Sequence, residues 1–146
     1  IRGFLEAVSY LHKMNVSHCD IKCENILVDE NYNTKLCDFG FSKNFTKSYD
    51  ESKCGSLDYA APELFKPGNV DFFKSDVWAV GITLFAASEK KFPFGDIYDV
   101  INGNLHVICE DKKLKELVKK CTDMDPKKRP NMDDILNDDF FLFDDD

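Results

Sequence analysis

Trp78 to Ala87 is the longest apolar run in the chain, and it contains Thr83. Ser75 reads as an N-cap with Asp76 in the first turn, for a helix running to about Ser88. Apolar residues fall on nearly all faces of that helix, so it has no side to give to water and other elements must surround it. The run is well short of the ~20 residues of a membrane span. A chain of 146 residues, 43% hydrophobic and with thirteen Phe, is large and apolar enough to supply that surround. It reads as one globular domain and not as a disordered segment.

The surrounding elements follow from periodicity. Ile1, Phe4, Leu5, Val8 and Leu11 recur at helical spacing, which predicts an amphipathic helix over residues 1 to about 14. Ile26-Leu27-Val28 and Thr34-Lys35-Leu36-Cys37 read as two short strands joined by a turn at residues 29–33. Residues 41–60 are polar and aperiodic, and read as a loop. Phe92-Pro93-Phe94-Gly95 interrupts the chain before a short helix from Asp96 to Ile101. Leu114, Leu117, Val118 and Cys121 mark another helical stripe, and Asn131 caps a last helix carrying Met132, Ile135 and Leu136. The fold class is therefore mainly α with a small β-hairpin, with no internal repeat and no linker to a second domain.

Charge and cysteines narrow the partners. The net charge of −8 argues against nucleic acid and anionic membranes, and is compatible with basic peptides or simply a solvated surface. Six Cys (Cys19, Cys23, Cys37, Cys54, Cys109 and Cys121) form no C-x-x-C pair and no zinc-ligand spacing. With no signal peptide visible, reduced thiols in the cytoplasm or nucleus are the expectation. Ile1, in place of Met, opens the chain inside a helical pattern, which reads as a fragment.

Five motifs give this fold a chemistry. His18-Cys19-Asp20-Ile21-Lys22-Cys23-Glu24-Asn25 comes first, followed by Asp38-Phe39-Gly40 and Ala61-Pro62-Glu63. Asp76-Val77-Trp78-Ala79-Val80-Gly81 and Asp125-Pro126-Lys127-Lys128-Arg129-Pro130 complete the series. Taken singly, Asp20 and Asp38 read as turn carboxylates, Asn25 as a strand-start cap and Phe39 as core. As an ordered set they resemble the catalytic domain of eukaryotic protein kinases, with its H-R-D-x-K-x-x-N, D-F-G, A-P-E, D-V-W-S-x-G and D-P-x-x-R-P motifs. The resemblance covers residues 1–146 and corresponds to the C-terminal lobe only, from the helix before the catalytic loop to the last helix.

That resemblance implies roles. Asp20 would be the catalytic base, Lys22 would reach the transferred phosphate, and Asn25 and Asp38 would hold Mg²⁺ on ATP. Phe39 would pack beneath the site and Gly40 would let the backbone turn. Glu63 and Arg129 match positions that form a buried ion pair, and Asp76 a residue that orients the catalytic loop through its backbone. Ser56 matches the position where serine/threonine kinases place a hydroxyl against Asp20 and Lys22, which implies a protein Ser or Thr as acceptor. Leu57 replaces the usual Pro. The stretch from Cys54 to Glu63 most resembles the calcium/calmodulin-dependent and AMP-activated-like group. In that group an activating phosphorylation often falls two residues before the Cys, here at Ser52. Ser52 is either that site or one of several unmodified loop serines.

Two departures bear on activity. Cys19 replaces the Arg that helps bind a phosphorylated activation loop. The glycine-rich loop, the strand Lys and the helix Glu of a complete kinase do not occur in this sequence, so the small lobe is absent and the fragment alone is expected to be inactive. A catalytically inactive pseudokinase or scaffold is the alternative from another class; Asp20, Asn25 and Asp38 argue against it. A small-molecule phosphotransferase is disfavoured by Ala61-Pro62-Glu63 and by the residues around Ser56.

Overall fold

The computed structural model describes residues 2–46, 52–53 and 55–141. Its axis is the apolar helix α2, Phe72–Glu89, in which every residue from Ser75 through Phe85 is buried. Among the described residues four further α-helices and two antiparallel strand pairs enclose it: α1 (Arg2–Lys13), α3 (Ile97–Asn102), α4 (Lys112–Cys121) and α5 (Met132–Leu136). β1 (Val16–Ser17) pairs with β4 (Lys43–Asn44), and β2 (Ile26–Val28) pairs with β3 (Thr34–Leu36). The molecule is mainly α, with the predicted β2–β3 hairpin and a second strand pair, β1–β4, that the periodicity does not show. No helix among the described residues is long and apolar enough to cross a membrane.

α2 begins earlier than the sequence predicts. Its N-cap is Asp71, whose carboxylate accepts the Phe73 and Lys74 N–H groups at 3.0 and 3.2 Å. Ser75 is therefore buried inside the first turn and Asp76 opens the second. The reason is aromatic packing. Phe72 and Phe73 lie against Phe45 at ring separations of 6.1 and 5.0 Å, and His12 meets the edge of Phe73 at 5.0 Å. Burying those rings extends the helix by a turn that propensity alone does not favour. At the other end Lys90 turns into the left-handed region and closes the helix one residue past the predicted Ser88.

The flanking helices obey the stripes read from sequence. Phe4, Leu5 and Val8 of α1 are buried and Leu11 is half-buried. Leu114, Leu117, Val118 and Cys121 of α4 are all buried. Burial pushes the Cys121 thiol up to about 12, so it behaves as a core apolar group. Asp96 and Asn131 each cap a helix through a reciprocal capping box, with Asp99 and Asp134 as the returning carboxylates. Cys23, Cys37, Cys109 and Cys121 are free thiols, and Cys54 lies outside the described residues.

α2 and α4 pack closely because Gly81 stands between them. A Cβ there would lie 2.7 Å from the Cys121 Cβ and 3.1 Å from the Thr122 Cγ2, and neither atom is the end of a flexible side chain. Gly81→Ala is therefore expected to lower stability. Overpacking costs about 1–3 kcal/mol, against a helix-propensity gain of about 1 kcal/mol. A fall in the urea midpoint at unchanged m-value checks it.

Candidate active site

One buried carboxylate shapes the segment between β1 and β2 from below. Asp76, 2% exposed, accepts the His18 N–H on Oδ2 at 2.9 Å and the Cys19 N–H on Oδ1 at 3.0 Å. The same Oδ2 accepts the Ser17 hydroxyl at 2.9 Å and faces His12 Nε2 at 2.8 Å. Four partners on one buried charge meet the condition for burying it. Cys19 has φ 69°, a left-handed backbone that costs an L-residue about 1–2 kcal/mol. Its bond to Asp76 offsets that cost.

The loop then turns upward. His18 is fully buried; its Nε2 meets the Cys37 carbonyl at 3.0 Å and its Nδ1 accepts the Asp20 N–H at 3.1 Å, which assigns the ring proton to Nε2. Asp20 is thereby fixed at its backbone. Its Oδ1 accepts the Ser56 hydroxyl at 2.9 Å and the Ser56 N–H at 3.2 Å. Its Oδ2 accepts the Asn25 amide at 3.2 Å and lies 3.8 Å from Lys22 Nζ. Lys22 also donates to Ser56 Oγ at 2.7 Å. The structure therefore gathers Asp20, Lys22, Asn25 and Ser56 into one cluster of a carboxylate, an ammonium, an amide and a hydroxyl. Such a cluster holds a hydroxyl hydrogen on a carboxylate with a cation alongside.

The β2–β3 hairpin brings in Asp38. Ile26 is registered against Leu36, and the Cys37 N–H donates to the Asn25 carbonyl at 2.9 Å, so the ladder continues one rung past the strands. Asn25 and Asp38 therefore sit at the same open end of the hairpin. At the closed end Asp29 accepts the Asn31 and Asn33 N–H groups at 2.8 and 2.9 Å, and the bond from Asn33 chiefly holds its carboxyl below the usual range. Asp38, not Gly40, is the left-handed residue of the D-F-G turn, with φ 59°, and its Oδ1 accepts the Gly40 N–H at 3.2 Å. Phe39 meets His18 edge-on at 5.1 Å but is half exposed, so packing beneath the site is partial.

Donor chemistry tests the expected metal. Among the described residues no three His, Cys, Asp or Glu side chains gather into a metal cage. Asn25 gives its amide nitrogen to the Asp20 carbonyl and carboxylate, which leaves its oxygen for another partner. That oxygen and the exposed Asp38 carboxylate are hard donors, few in number. Such a set fits a magnesium ion that keeps several waters and takes phosphate oxygens.

The segment that closes over this cluster is held at two points. Gly55, at φ 112°, passes so near the loop that a Cβ there would stand 2.5 Å from the Cys19 carbonyl oxygen. Only glycine combines that backbone with that approach. Farther on, Glu63 lies in a tight turn at Pro62–Phe65 and meets Arg129 as a fork, with Oε2 and Oε1 at 2.7 and 2.9 Å. The Arg129 side chain is fully buried. It also donates to the Asp123 and Lys74 carbonyls at 2.8 and 2.9 Å and stacks over Trp78 at 5.1 Å. Ser52 is exposed, and residues 47–51 and Cys54 beside it lie outside the described residues.

Three contributors escaped the motif reading. Tyr59 bridges the Cys23 N–H and the Glu24 carboxylate; burial raises its phenol well above the ordinary range, which keeps its proton in place as the donor to Glu24. Ser17 and His12 complete the shell of Asp76. His12 follows Val8 by four residues and so shares the buried face of α1, where a polar side chain needs a partner.

Known proteins place these features in a family. The sequence model described as "Protein kinase domain" matches residues 1–141. Mitogen-activated protein kinase kinase kinase 1a of Physcomitrium patens is 35% identical over 141 residues, which cover 90% of this chain and 19% of that protein. The serine/threonine-protein kinase GIN4 of Saccharomyces cerevisiae is 34% identical over 147 residues, covering 92% of this chain and 13% of that protein. The chain thus spans less than a fifth of either relative. Ordered motifs, a helix-rich fold and these likenesses agree, and the chain belongs to the protein kinase family.

Proposed function

We propose that residues 1–146 form the large, C-terminal lobe of a serine/threonine protein kinase that moves the γ-phosphoryl of ATP to a protein Ser or Thr hydroxyl. The observation that carries this reading is the Asp20–Ser56–Lys22 cluster, with a hydroxyl 2.9 Å from the carboxylate and 2.7 Å from the ammonium. In this reading Asp20 accepts the proton of the attacking hydroxyl. Lys22 offsets negative charge on the phosphate being transferred, and Asn25 and Asp38 hold Mg²⁺, which neutralises charge on the ATP phosphates. Glu63, Arg129 and Asp76 are structural.

A small lobe of the full-length protein is the partner this assignment requires. Leu27 and Val28 on the hairpin are 57% and 61% exposed, an apolar face consistent with cover from that side. We assign the kinase to the calcium/calmodulin-dependent and AMP-activated-like group on the Cys54–Glu63 stretch. The free thiols are in keeping with a reducing cytoplasm or nucleus.

The test is peptide phosphorylation by the 146-residue chain beside the full-length protein that contains it. The chain alone is expected to be silent. The full-length protein is expected to phosphorylate Ser and Thr peptides, not Tyr peptides, and to stop when EDTA removes magnesium. Turnover by the chain alone would refute the need for a second lobe. A silent full-length protein would leave the scaffold reading.

Regulation gives a second check. Cys19 brings no positive charge to the loop, so phosphorylation at Ser52 is expected to raise the full-length rate only weakly. In Cys19→Arg the gain should rise, because one to three charge-assisted hydrogen bonds become available to the phosphate, roughly. The ratio of phosphorylated to unphosphorylated rates, measured for both versions, decides it; equal ratios would remove Ser52 and Cys19 from the mechanism.

A further inference from the structure

We propose that the outward face of α4 is a docking surface for an acidic segment of another protein, set apart from the catalytic cluster. Leu114, Leu117, Val118 and Cys121 form the buried side of this ten-residue helix. At about 100° per residue its other six positions fall within about 160° of arc. They are Lys112, Lys113, Lys115, Lys119, Lys120 and a single acid, Glu116. All but the half-buried Lys115 are exposed. Five Lys against one Glu give α4 a formal +4, and taking that from the chain's −8 leaves −12 on the other residues.

Helix stability does not account for this face. Lys119 and Lys120 suit the negative end of the helix dipole, but Lys112 and Lys113 open the helix, and no acid stands in its first turn. Lys115 is three residues from Lys112 and four from Lys119, spacings at which like charges repel. The charge is not used inside the fold either. Among the described residues Lys120 is the one member with an ion pair, 3.2 Å from Asp138 Oδ2. Asp111, just before the helix, is engaged as its N-cap and accepts the Lys113 and Leu114 N–H groups at 2.9 and 3.1 Å.

The face selects among anionic partners. It presents ammonium groups and nothing apolar, since Leu114, Leu117, Val118 and Cys121 all turn inward. A helix that lies in a bilayer needs an apolar side to bury there. α4 is about 15 Å long, and in physiological salt charge is felt over about 8 Å. A membrane or a nucleic-acid duplex reaches well past that patch and meets the −12 carried elsewhere. A short run of Asp and Glu touches the lysines alone. The place of α4 also keeps such a partner off the reaction site. On α2, Asp76 and Thr83 contact the segment from Ser17 to Asn25, whereas Gly81 faces Cys121 and Thr122. Those directions differ by about 150° around the helix. A segment docked on the far side of α4 therefore does not cover Asp20 or Ser56.

Fluorescence anisotropy of a short labelled peptide of Asp, Glu and Gly, titrated with the intact chain, tests the proposal. Binding that weakens as salt rises is expected. Lys112→Gln, Lys113→Gln and Lys119→Gln together are expected to weaken it about tenfold, with each exposed pair taken as roughly a factor of two. Lys120 is left to its bond with Asp138. The same change of net charge made by Lys35→Gln, Lys66→Gln and Lys91→Gln, all exposed positions outside α4, is expected to leave binding nearly intact. Equal loss in the two triple variants would show that the peptide senses only overall charge, and would overturn the proposal. Undiminished binding by the α4 variant would overturn it as well. Lysine acetylation of the unaltered chain, read by mass spectrometry, needs no variant: the peptide is expected to shield Lys112, Lys113 and Lys119, and shielding only at other lysines overturns the proposal. A DNA duplex or a phosphatidylserine vesicle that binds through these lysines more tightly than the peptide overturns the choice of partner. None of these readouts involves turnover, so failure here leaves the kinase assignment standing, and a silent kinase leaves this result standing.

Discussion

Arg129→Met is expected to lower the unfolding free energy by about 3–5 kcal/mol, the range for breaking a buried ion pair by removing one partner. The geometry leaves little room for a milder result. The side chain is fully buried, its guanidinium is matched by both Glu63 oxygens, and two backbone carbonyls take two more of its N–H groups. Methionine fills the volume over Trp78 but leaves the Glu63 carboxylate, 16% exposed, and the Asp123 and Lys74 carbonyls short of partners. Glu63→Gln is expected to cost a similar amount from the other side, since it strands a positive charge. Arg129→Lys should not rescue, because an ammonium cannot reproduce the planar fork. The double change Glu63→Leu with Arg129→Met removes both charges together and is expected to be milder than the sum of the singles. Urea unfolding of the four variants checks the set. A single variant within about 0.5 kcal/mol of wild type, the range of ordinary surface changes, would show that the pair does not bear on stability.

Asp20→Asn is expected to reduce kcat of the full-length kinase by about 10²–10⁴-fold, the usual contribution of a positioned general base. Asparagine keeps the shape, and its carbonyl oxygen can still accept from Ser56, so the loop should remain folded. What it loses is the negative charge that accepts the substrate proton and pairs with Lys22. KM for ATP should change little, since Asp20 is not among the assigned magnesium ligands. A fall in kcat and kcat/KM together, at constant KM, is the signature of an interaction made in the transition state. Asp38→Asn should behave differently. It weakens a hard-oxygen site, so its defect should ease as magnesium is raised, whereas that of Asp20→Asn should not. A full-rate Asp20→Asn enzyme would displace Asp20 from the role of base.

Legibility tracked the physical range of each signal. α2 could be read because an all-apolar helix has one destination, and α4 and α5 because stripe and cap act within a few residues. Its true start at Phe72 could not, since that turn exists to bury Phe72 and Phe73 against Phe45, a partner far away in sequence. β1 and β4 are two residues each, too short to show a period, and they fall in segments that read as irregular. At the site, the motifs name Asp20, Asn25, Asp38 and Asp76 but say nothing of conformation. The sequence points to Gly40 only as the residue that lets the backbone turn, whereas the left-handed residue is Asp38. His12 and Tyr59 contribute through contacts with residues dozens of positions away, beyond any spacing rule.

The chain from β4 to Glu63 has both feet fixed by devices that share no atoms: Ser17 registered against Lys43 at one end, the Glu63–Arg129 fork at the other. Between those feet Ser56 and Tyr59 are tied to Asp20 and Cys23, so the span is held from outside as well as by its own residues. Where both ends of a segment are fixed, added length is inexpensive, because each doubling of a closed loop adds only about 0.6 kcal/mol of closure entropy. A change of sequence between the feet is therefore cheap only where it spares Gly55 against Cys19, Ser56 on Asp20 and the buried Tyr59 and Ala61. In a fold otherwise locked around one buried helix, the exposed positions between these anchors are where new instructions can be written without rebuilding the machine.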